Sequence, residues 1–309
     1  MMFTFRRIKS LAAIAAFIAA VTPVQAKLNV VTTTPDFGAL AETIGGKNVT
    51  VLTLARPTED PHFVDAKPSY ILKLNRADVL IEGGAELEIG WLPPLVQGAR
   101  NAKIAAGAPG RISAAKELQL MEIPSTLDRS QGDIHAAGNP HFMTDPANAR
   151  IVAQNITDAF CAADPAASAD YKAGLKGFTD QLDLKLAEWE QKLAPYRGRQ
   201  VVAYHNMWPY FARRFGLKIE LFLEPKPGIP PSPSHLAEII SQMKSRNIGI
   251  VMVEPFQNRK TAEVVAANTG AIVVDVTQYP GGVKGSEGGY IQLMDYLVNT
   301  LAKAFAGKP

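Results

Sequence analysis

Residues 169–194, ADYKAGLKGFTDQLDLKLAEWEQKLA, form the most regular segment of this 309-residue sequence. Apolar residues recur in it at intervals of three and four positions, namely Leu175, Phe178, Leu182, Leu186, Trp189 and Leu193. This spacing predicts a single amphipathic helix of about 39 Å, at about 1.5 Å per residue. Such a helix can join two lobes and limit their relative movement, and the lack of a flexible Gly/Ser hinge favours a stiff connection. The alternative is a long surface helix that belongs to one lobe only.

Strand and helix patterns alternate on both sides of this segment. Apolar, β-branched runs predict strands at 28–33, 49–54 and 79–82 before it, and at 201–204, 218–223, 248–253 and 271–276 after it. Helical patterns lie between these runs and at 290–305. This alternation predicts the fold class α/β, with two α/β lobes whose parallel-type sheets are joined by one long rigid helix. We expect an N-terminal lobe at 27–165, a linking helix at 166–196 and a C-terminal lobe at 197–309.

The first 26 residues are typical of a cleaved signal peptide. Basic residues precede an apolar stretch at 11–21, and the segment ends in Val24-Gln25-Ala26. An N-terminal membrane anchor is the alternative, but a span needs about 20 apolar residues. No cysteine follows the apolar stretch to accept a lipid, so we expect a periplasmic protein that is not a lipoprotein. The only cysteine, Cys161, also excludes an internal disulfide.

The charge balance excludes some partners. Residues 27–309 carry 29 basic and 29 acidic side chains, so the mature chain is formally neutral. A neutral chain lacks the excess of basic residues that is typical of proteins that bind nucleic acid or an anionic membrane surface. No long apolar stretch follows the leader, so we expect no direct membrane insertion of the mature chain. We also expect the mature chain to be a monomer.

Two histidines stand in nearly identical settings. The segments Asp60-Pro61-His62-Phe63 and Asn139-Pro140-His141-Phe142 lie 79 positions apart. In each, proline restricts the backbone, and the preceding Asp or Asn can hold a turn. A third histidine, His205, directly follows a predicted strand, where open α/β sheets place their ligand sites. Neutral imidazole is the commonest metal ligand, and three imidazole nitrogens suit Zn²⁺. His62, His141 and His205 are therefore candidate metal ligands, although each alone could be an ordinary turn or core residue.

These three motifs, in this order, resemble those of the metal-binding solute-binding proteins of bacterial zinc and manganese ABC importers. The resemblance rests on residues 60–62, 139–146 and 205–211, and extends to the loop at 224–233 and to Glu254-Pro255. It implies two lobes, a rigid backbone helix and one ion held in the cleft by His62, His141 and His205. Members with histidine at the third position resemble zinc receptors, whereas a carboxylate there is usual in manganese receptors.

The fourth ligand departs from the family pattern. The resemblance implies an Asp after a late strand of the second lobe, but Asp275 lies about three residues early and Gln278 stands near the expected place. Asp275, Glu254 or a water therefore remain alternatives, and Asp275 can instead be a strand-end residue that pairs with a helix terminus. His135 can assist at the cleft edge or be a solvated loop residue.

Two other polar residues have structural alternatives. We expect Asp145 to cap the helix that begins at Pro146, the alternative being a hydrogen bond to a ligand histidine. We expect His235 to lie in the first turn of a helix capped by Ser232 or Ser234.

The resemblance implies a periplasmic high-affinity receptor for Zn²⁺, with Mn²⁺ as the alternative cargo, that delivers the ion to the membrane permease of an ABC importer. An adhesin or a metallochaperone would share the same site. A zinc hydrolase is a further alternative, but no HExxH and no nucleophile motif accompany the histidines. We therefore expect no enzymatic activity.

Overall fold

A computed structural model of the chain describes residues 26–126 and 135–307. All but the last residue of the predicted signal peptide lies outside this range, so that peptide stays a prediction. In the part of the chain that the structure describes, no helix is both long and apolar enough to cross a membrane.

The N-terminal lobe contains a four-stranded sheet in which every neighbouring pair is parallel. Its order is β2-β1-β3-β4, with β1 at Leu28–Thr32, β2 at Val49–Thr53, β3 at Val79–Glu82 and β4 at Arg111–Ser113. The helices of this lobe are α1 at Pro35–Gly45, α2 at Pro68–Asn75, α3 at Leu92–Ala99 and α4 at Pro146–Ala163. Strands β2 and β3 lie on opposite sides of β1, so the carboxyl end of β1 is a topological switch point, where such sheets form ligand crevices.

The C-terminal lobe repeats this topology. Its sheet has the order β6-β5-β7-β8, with β5 at Gln200–Ala203, β6 at Lys218–Phe222, β7 at Ile250–Val253 and β8 at Ile272–Asp275, again all parallel. The helices are α6 at Pro209–Phe215, α7 at Pro233–Ser245, α8 at Arg259–Thr269 and α9 at Tyr290–Gly307. Here β5 is the switch-point strand. The predicted fold class of two α/β lobes with parallel sheets is confirmed.

The linking helix is α5, at Ser168–Leu193. It packs against α1 and α4 of the N-terminal lobe and against α9 of the C-terminal lobe, so it does not belong to one lobe only. Four of the recurring apolar residues of α5 are buried, namely Phe178, Leu182, Trp189 and Leu193. Trp189 Nε1 also donates a hydrogen bond to Asp295 of α9 at 2.8 Å. One apolar cluster includes residues of both sheets and of α5, which couples the lobes through a shared core. The exact lobe boundaries stay predictions.

Most predicted elements occur within a few residues of their expected bounds. Proline marks the start of several helices, because it lacks the N–H that is unpaired at a helix N-terminus; Pro35, Pro68, Pro146, Pro209 and Pro233 open helices in this way. The short elements α3 and β4 were not predicted. Only three residues long, β4 completes the N-terminal sheet by pairing with β3.

Candidate metal centre

The three candidate histidines come from separate loops at the carboxyl ends of strands. His62 lies between β2 and α2, His141 between β4 and α4, and His205 directly after β5. Because the carboxyl ends of parallel strands lie at one edge of a sheet, each lobe presents its histidine loops at that edge. The N-terminal lobe supplies two imidazoles and the C-terminal lobe supplies one.

The structure brings these three imidazoles together. The ring centroids of His62 and His141 are 5.2 Å apart, and each lies 5.7 Å from the ring centroid of His205. One ligand nitrogen from each ring lies within 4.8 Å of the other two. Nitrogens about 2.0–2.1 Å from a tetrahedral Zn²⁺ are about 3.3 Å apart, so small side-chain rotations suffice to gather them around one ion.

Each imidazole is oriented through its Nδ1 atom. Nδ1 of His62 lies 2.8 Å from Asp60 Oδ1, and Nδ1 of His205 lies 2.7 Å from Glu224 Oε2. Nδ1 of His141 lies 3.1 Å from Gln278 Oε1. Because these acceptor oxygens take the Nδ1–H, Nε2 of each ring is left with its lone pair, the state in which histidine binds a metal.

His141 Nε2 is a buried polar atom without a hydrogen-bond partner among the described residues. Burial, together with the repulsion that a second protonated imidazole at His62 or His205 would exert, holds the pKa of His141 well below its usual value of 6.5. The ring is therefore neutral at pH 7 and needs no deprotonation to bind a cation. An unpaired buried acceptor is costly unless a ligand satisfies it, so the donor set fits a cationic cargo.

Carboxylates behind the rings supply negative charge. Burial raises the pKa of Asp60, but its hydrogen bonds with His62 and the attraction between the Asp60 carboxylate and the electropositive imidazole outweigh burial, and the pKa lies below its usual value. With Glu224 behind His205, two acidic side chains contact the imidazoles directly. Together they can balance the charge of one divalent cation.

The residue behind His141 is an amide instead of a carboxylate. Gln278 Nε2 donates to Glu254 Oε1 at 3.1 Å, so its Oε1 faces His141. Burial, only partly offset by the hydrogen bond from Gln278, raises the pKa of Glu254 to about 8. Glu254 is therefore mostly an uncharged carboxylic acid at pH 7, and its Oε2 has no partner within the described ranges 26–126 and 135–307. Glu254 and a water stay predictions for the fourth ligand.

Asp275 is not part of the group formed by the three histidines, so the structure does not support it as the fourth ligand. Its side chain is half exposed and forms an ion pair with Arg259, the first residue of α8. The carboxylate thus lies at a strand end and contacts a helix N-terminus, as its structural alternative predicted. The position about three residues later, Gln278, contacts His141 instead.

His135 lies beside the three histidines. Its ring stacks on His62 with a centroid separation of 5.2 Å, and burial lowers its pKa to about 4, with further lowering by His62 and His205. It lines a cavity of about 570 Å³ together with Asn139, His141, His205 and Asn206. His135 is thus a half-buried residue of the cleft and not a solvated loop residue.

The other two polar residues have the structural roles that we expected. Asp145 Oδ1 accepts from Ala147 N at the start of α4, and Asp145 also pairs with Arg214. His235 N donates to the Ser232 cap of α7. The positions of Glu224 and Gln278 behind the imidazoles of His205 and His141 were not predicted. Their signals in the sequence were their positions two and three residues after the ends of β6 and β8, at the same sheet edge as His205.

Fold and site together define a two-lobed α/β protein with a three-histidine centre between its lobes, the arrangement of a receptor for a small cationic ligand. The chain belongs to the family described as zinc-uptake complex component A, periplasmic (ZnuA), whose model matches residues 30–304. The resemblance drawn from the three histidine motifs is therefore confirmed.

Individual relatives agree with this family. The iron-binding protein YfeA of Yersinia pestis is 28% identical over 293 residues, which cover 90% of this chain and 86% of that protein. The manganese ABC transporter substrate-binding lipoprotein PsaA of Streptococcus anginosus is 21% identical and covers 91% of this chain and 90% of its own. A crystal structure of ZnuA superposes with a TM-score of 0.77 at 24% identity, over 90% of this chain and 99% of that one.

The comparisons also correct the predicted localisation. PsaA of Streptococcus anginosus and ScbA of Streptococcus cristatus are both named as lipoproteins. Relatives of this chain are thus lipoproteins by name, and the prediction that this chain is not a lipoprotein is wrong. It rested on the lack of a cysteine after a leader that lies outside the described residues, and we withdraw it.

Proposed function

We propose that this protein is the divalent-metal receptor of an ABC importer and binds one ion through Nε2 of His62, His141 and His205. The observation that carries the proposal is the convergence of three imidazoles from both lobes, each with Nδ1 held by an acceptor and Nε2 left for a cation. An ion bound by both lobes holds the cleft closed, because opening the cleft would remove a ligand.

Zn²⁺ is the cargo that the donor set favours. Three neutral nitrogen donors suit Zn²⁺ better than Mn²⁺, which prefers oxygen ligands and stands lower in the affinity order of divalent metals. Among the described residues, the group of candidate ligands consists of imidazoles alone. Mn²⁺ is the alternative cargo, since relatives are named for manganese, iron and zinc.

The same site argues against catalysis. A hydrolytic zinc centre needs a base that is free to activate the metal-bound water. Here the two carboxylates nearest the rings, Asp60 and Glu224, are engaged by His62 and His205, and Glu254 is buried behind Gln278. We therefore assign no enzymatic activity. We also propose that the protein acts as a monomer.

Metal titration against a competing chelator tests the site. We expect His141→Ala to lower the Zn²⁺ affinity at least tenfold, because one of three protein ligands is lost, while the circular dichroism spectrum stays unchanged. His235→Ala is the matched control, because His235 lies in α7 and contacts the Phe222 carbonyl instead of the cleft. Unchanged Zn²⁺ affinity in His141→Ala would remove the proposed centre.

Delivery to a permease requires a cellular test. A strain that lacks this gene should take up less ⁶⁵Zn²⁺ at limiting zinc, and the wild-type gene should restore uptake while the His141→Ala gene should not. Normal uptake in the deletion strain would favour a metallochaperone or an adhesin. A permease and an ATPase gene beside this gene would support the importer.

A further inference from the structure

One carboxylate lies between the two histidine loops that face each other across the cleft. Glu122 Oε2 accepts a hydrogen bond from Asn139 Nδ2 at 2.9 Å and another from Asn206 Nδ2 at 2.8 Å. Asn139 precedes His141 by two residues and belongs to the N-terminal lobe. Asn206 directly follows His205 in the C-terminal lobe. A single acceptor oxygen thus connects the two lobes beside the metal centre.

Glu122 also contributes to the orientation of the Asn139 amide. The carboxylate of Glu122 accepts hydrogen bonds only, so the Nδ2 group of Asn139 must face it. The Oδ1 atom of Asn139 then accepts from the backbone N–H of His141 at 3.0 Å. The same Nδ2 group also donates to the backbone carbonyl of Asn206 at 2.9 Å. Asn139 is 9% exposed, so its amide is largely shielded from water, whereas Glu122 itself is exposed to solvent.

The backbone that presents Glu122 is held in a costly conformation. Glu122 has φ +55°, in the left-handed region that non-glycine residues rarely adopt. Neighbouring hydrogen bonds hold it there: Met121 N donates to the Tyr210 hydroxyl at 2.9 Å, and Asn139 N donates to Met121 O at 2.8 Å. Tyr210 belongs to α6 of the C-terminal lobe and donates in turn to Asn139 O at 2.7 Å.

We propose that Glu122 is a positioning residue that clasps the His141 and His205 loops together through Asn139 and Asn206 and thereby slows release of the bound ion. The proposal rests on the proposed function and extends it, because it assigns the retention of the ion to a residue that contacts none of the three imidazoles. Ion release requires the two loops to separate, and separation must first break the hydrogen bonds to Glu122.

Dissociation kinetics test the clasp. Zn²⁺-loaded protein is mixed with excess chelator, and the release rate is measured for the wild type, Glu122→Ala and Glu122→Gln. We expect Glu122→Ala to release Zn²⁺ about tenfold faster, which corresponds to about 1.4 kcal/mol. Glu122→Gln should stay near the wild-type rate, because the amide oxygen can still accept both hydrogen bonds. A Gln variant as fast as the Ala variant would assign the effect to charge alone and overturn the clasp.

Glu117→Ala is the matched control for backbone strain and for charge. Glu117 also has a left-handed backbone, with φ +65°, but within the described part of the chain its exposed side chain pairs with the neighbouring Lys116 and not across the cleft. We expect the wild-type release rate in this variant, and an equal acceleration in it would overturn the proposal. The melting temperature of the metal-free Glu122→Ala protein should stay close to that of the wild type, whereas a purely structural role would lower it without changing release.

A double-mutant cycle supplies a second readout. If Glu122 acts through Asn206, Glu122→Ala combined with Asn206→Ala should release Zn²⁺ little faster than Asn206→Ala alone. Independent, additive effects would contradict the proposal. The proposed function fails separately: it is wrong if His141→Ala keeps its Zn²⁺ affinity, whereas only the clasp is wrong if that variant loses affinity and Glu122→Ala releases Zn²⁺ at the wild-type rate.

Discussion

Nδ1 of His141 and Oε1 of Gln278 lie 3.1 Å apart, although 137 positions separate the two residues in the sequence. This contact joins a loop of the N-terminal lobe to the segment that follows β8 in the C-terminal lobe. Gln278 in turn is held by Glu254. The orientation of a buried candidate ligand in one lobe therefore depends on two side chains of the other.

Gln278→Ala should consequently lower Zn²⁺ affinity without removing a ligand. Loss of a hydrogen-bond partner behind a metal-binding histidine costs about 10- to 100-fold in affinity, and we expect a loss in this range by chelator competition. Gln242→Ala is the control, because Gln242 contacts Glu238 on the exposed part of α7. Wild-type affinity in Gln278→Ala would show that His141 needs no support from the second lobe.

Asp275→Ala should leave Zn²⁺ affinity within about twofold of the wild type. The Asp275 carboxylate is half exposed and paired with Arg259, and such exposed ion pairs contribute only about 0–1 kcal/mol to stability. The same titration measures the affinity, and the melting temperature reports the small stability change. A tenfold loss of affinity would return Asp275 to the ligand set.

Glu88 should make the metal-free protein less stable as the pH rises. Burial, partly offset by hydrogen bonds from Thr33 and Gly83, raises the pKa of Glu88 to about 7. The folded state therefore binds more protons than the unfolded state between about pH 4.5 and 7, and the free energy of unfolding falls over this window. The contribution of Glu88 is fully present below pH 4.5 and is lost as the pH rises through 7.

Denaturant unfolding of the wild type and of Glu88→Gln from pH 4.5 to 8 measures this effect. The amide cannot ionise, so the stability of the wild type relative to the variant should fall by on the order of 3 kcal/mol over the window, at about 1.4 kcal/mol per pKa unit. Glu117→Gln is an exposed control for a carboxylate lost elsewhere. Parallel curves for the wild type and Glu88→Gln would contradict this prediction.

Two glycines of α5 should respond oppositely to alanine. A Cβ on Gly174 would lie 2.4 Å from the backbone oxygen of Ile44, because α1 approaches α5 closely there. Gly174→Ala should therefore lower the free energy of unfolding by about 1–3 kcal/mol. Gly177 is exposed, and a Cβ there would meet no atom within 4 Å. Gly177→Ala should raise the free energy of unfolding by about 0.5–1 kcal/mol. Unchanged or increased stability in Gly174→Ala would refute the close contact, and destabilisation by Gly177→Ala would contradict the prediction for the open position.

The features that depend on local pattern could be predicted from the sequence. Three features depend on residues only a few positions apart: the alternation of strands and helices, the prolines at helix starts and the recurring apolar residues of α5. The predicted elements accordingly lie close to their expected bounds. The histidine motifs were also predictable, because restricted loops after strands present their side chains at the sheet edge. The short strand β4 was not, since three residues carry too little periodicity and its place depends on pairing with β3.

The sequence by itself determined the fold class, the linking helix and the identity of the three imidazoles, because these depend on residue type and on short-range spacing. Only the tertiary structure decided what stands behind each imidazole. Asp275 and Gln278 are three positions apart, yet Asp275 contacts Arg259 at the surface while Gln278 reaches His141. Which residue a side chain contacts after the end of a strand depends on how the two lobes pack against each other. No local pattern in the sequence encodes that packing.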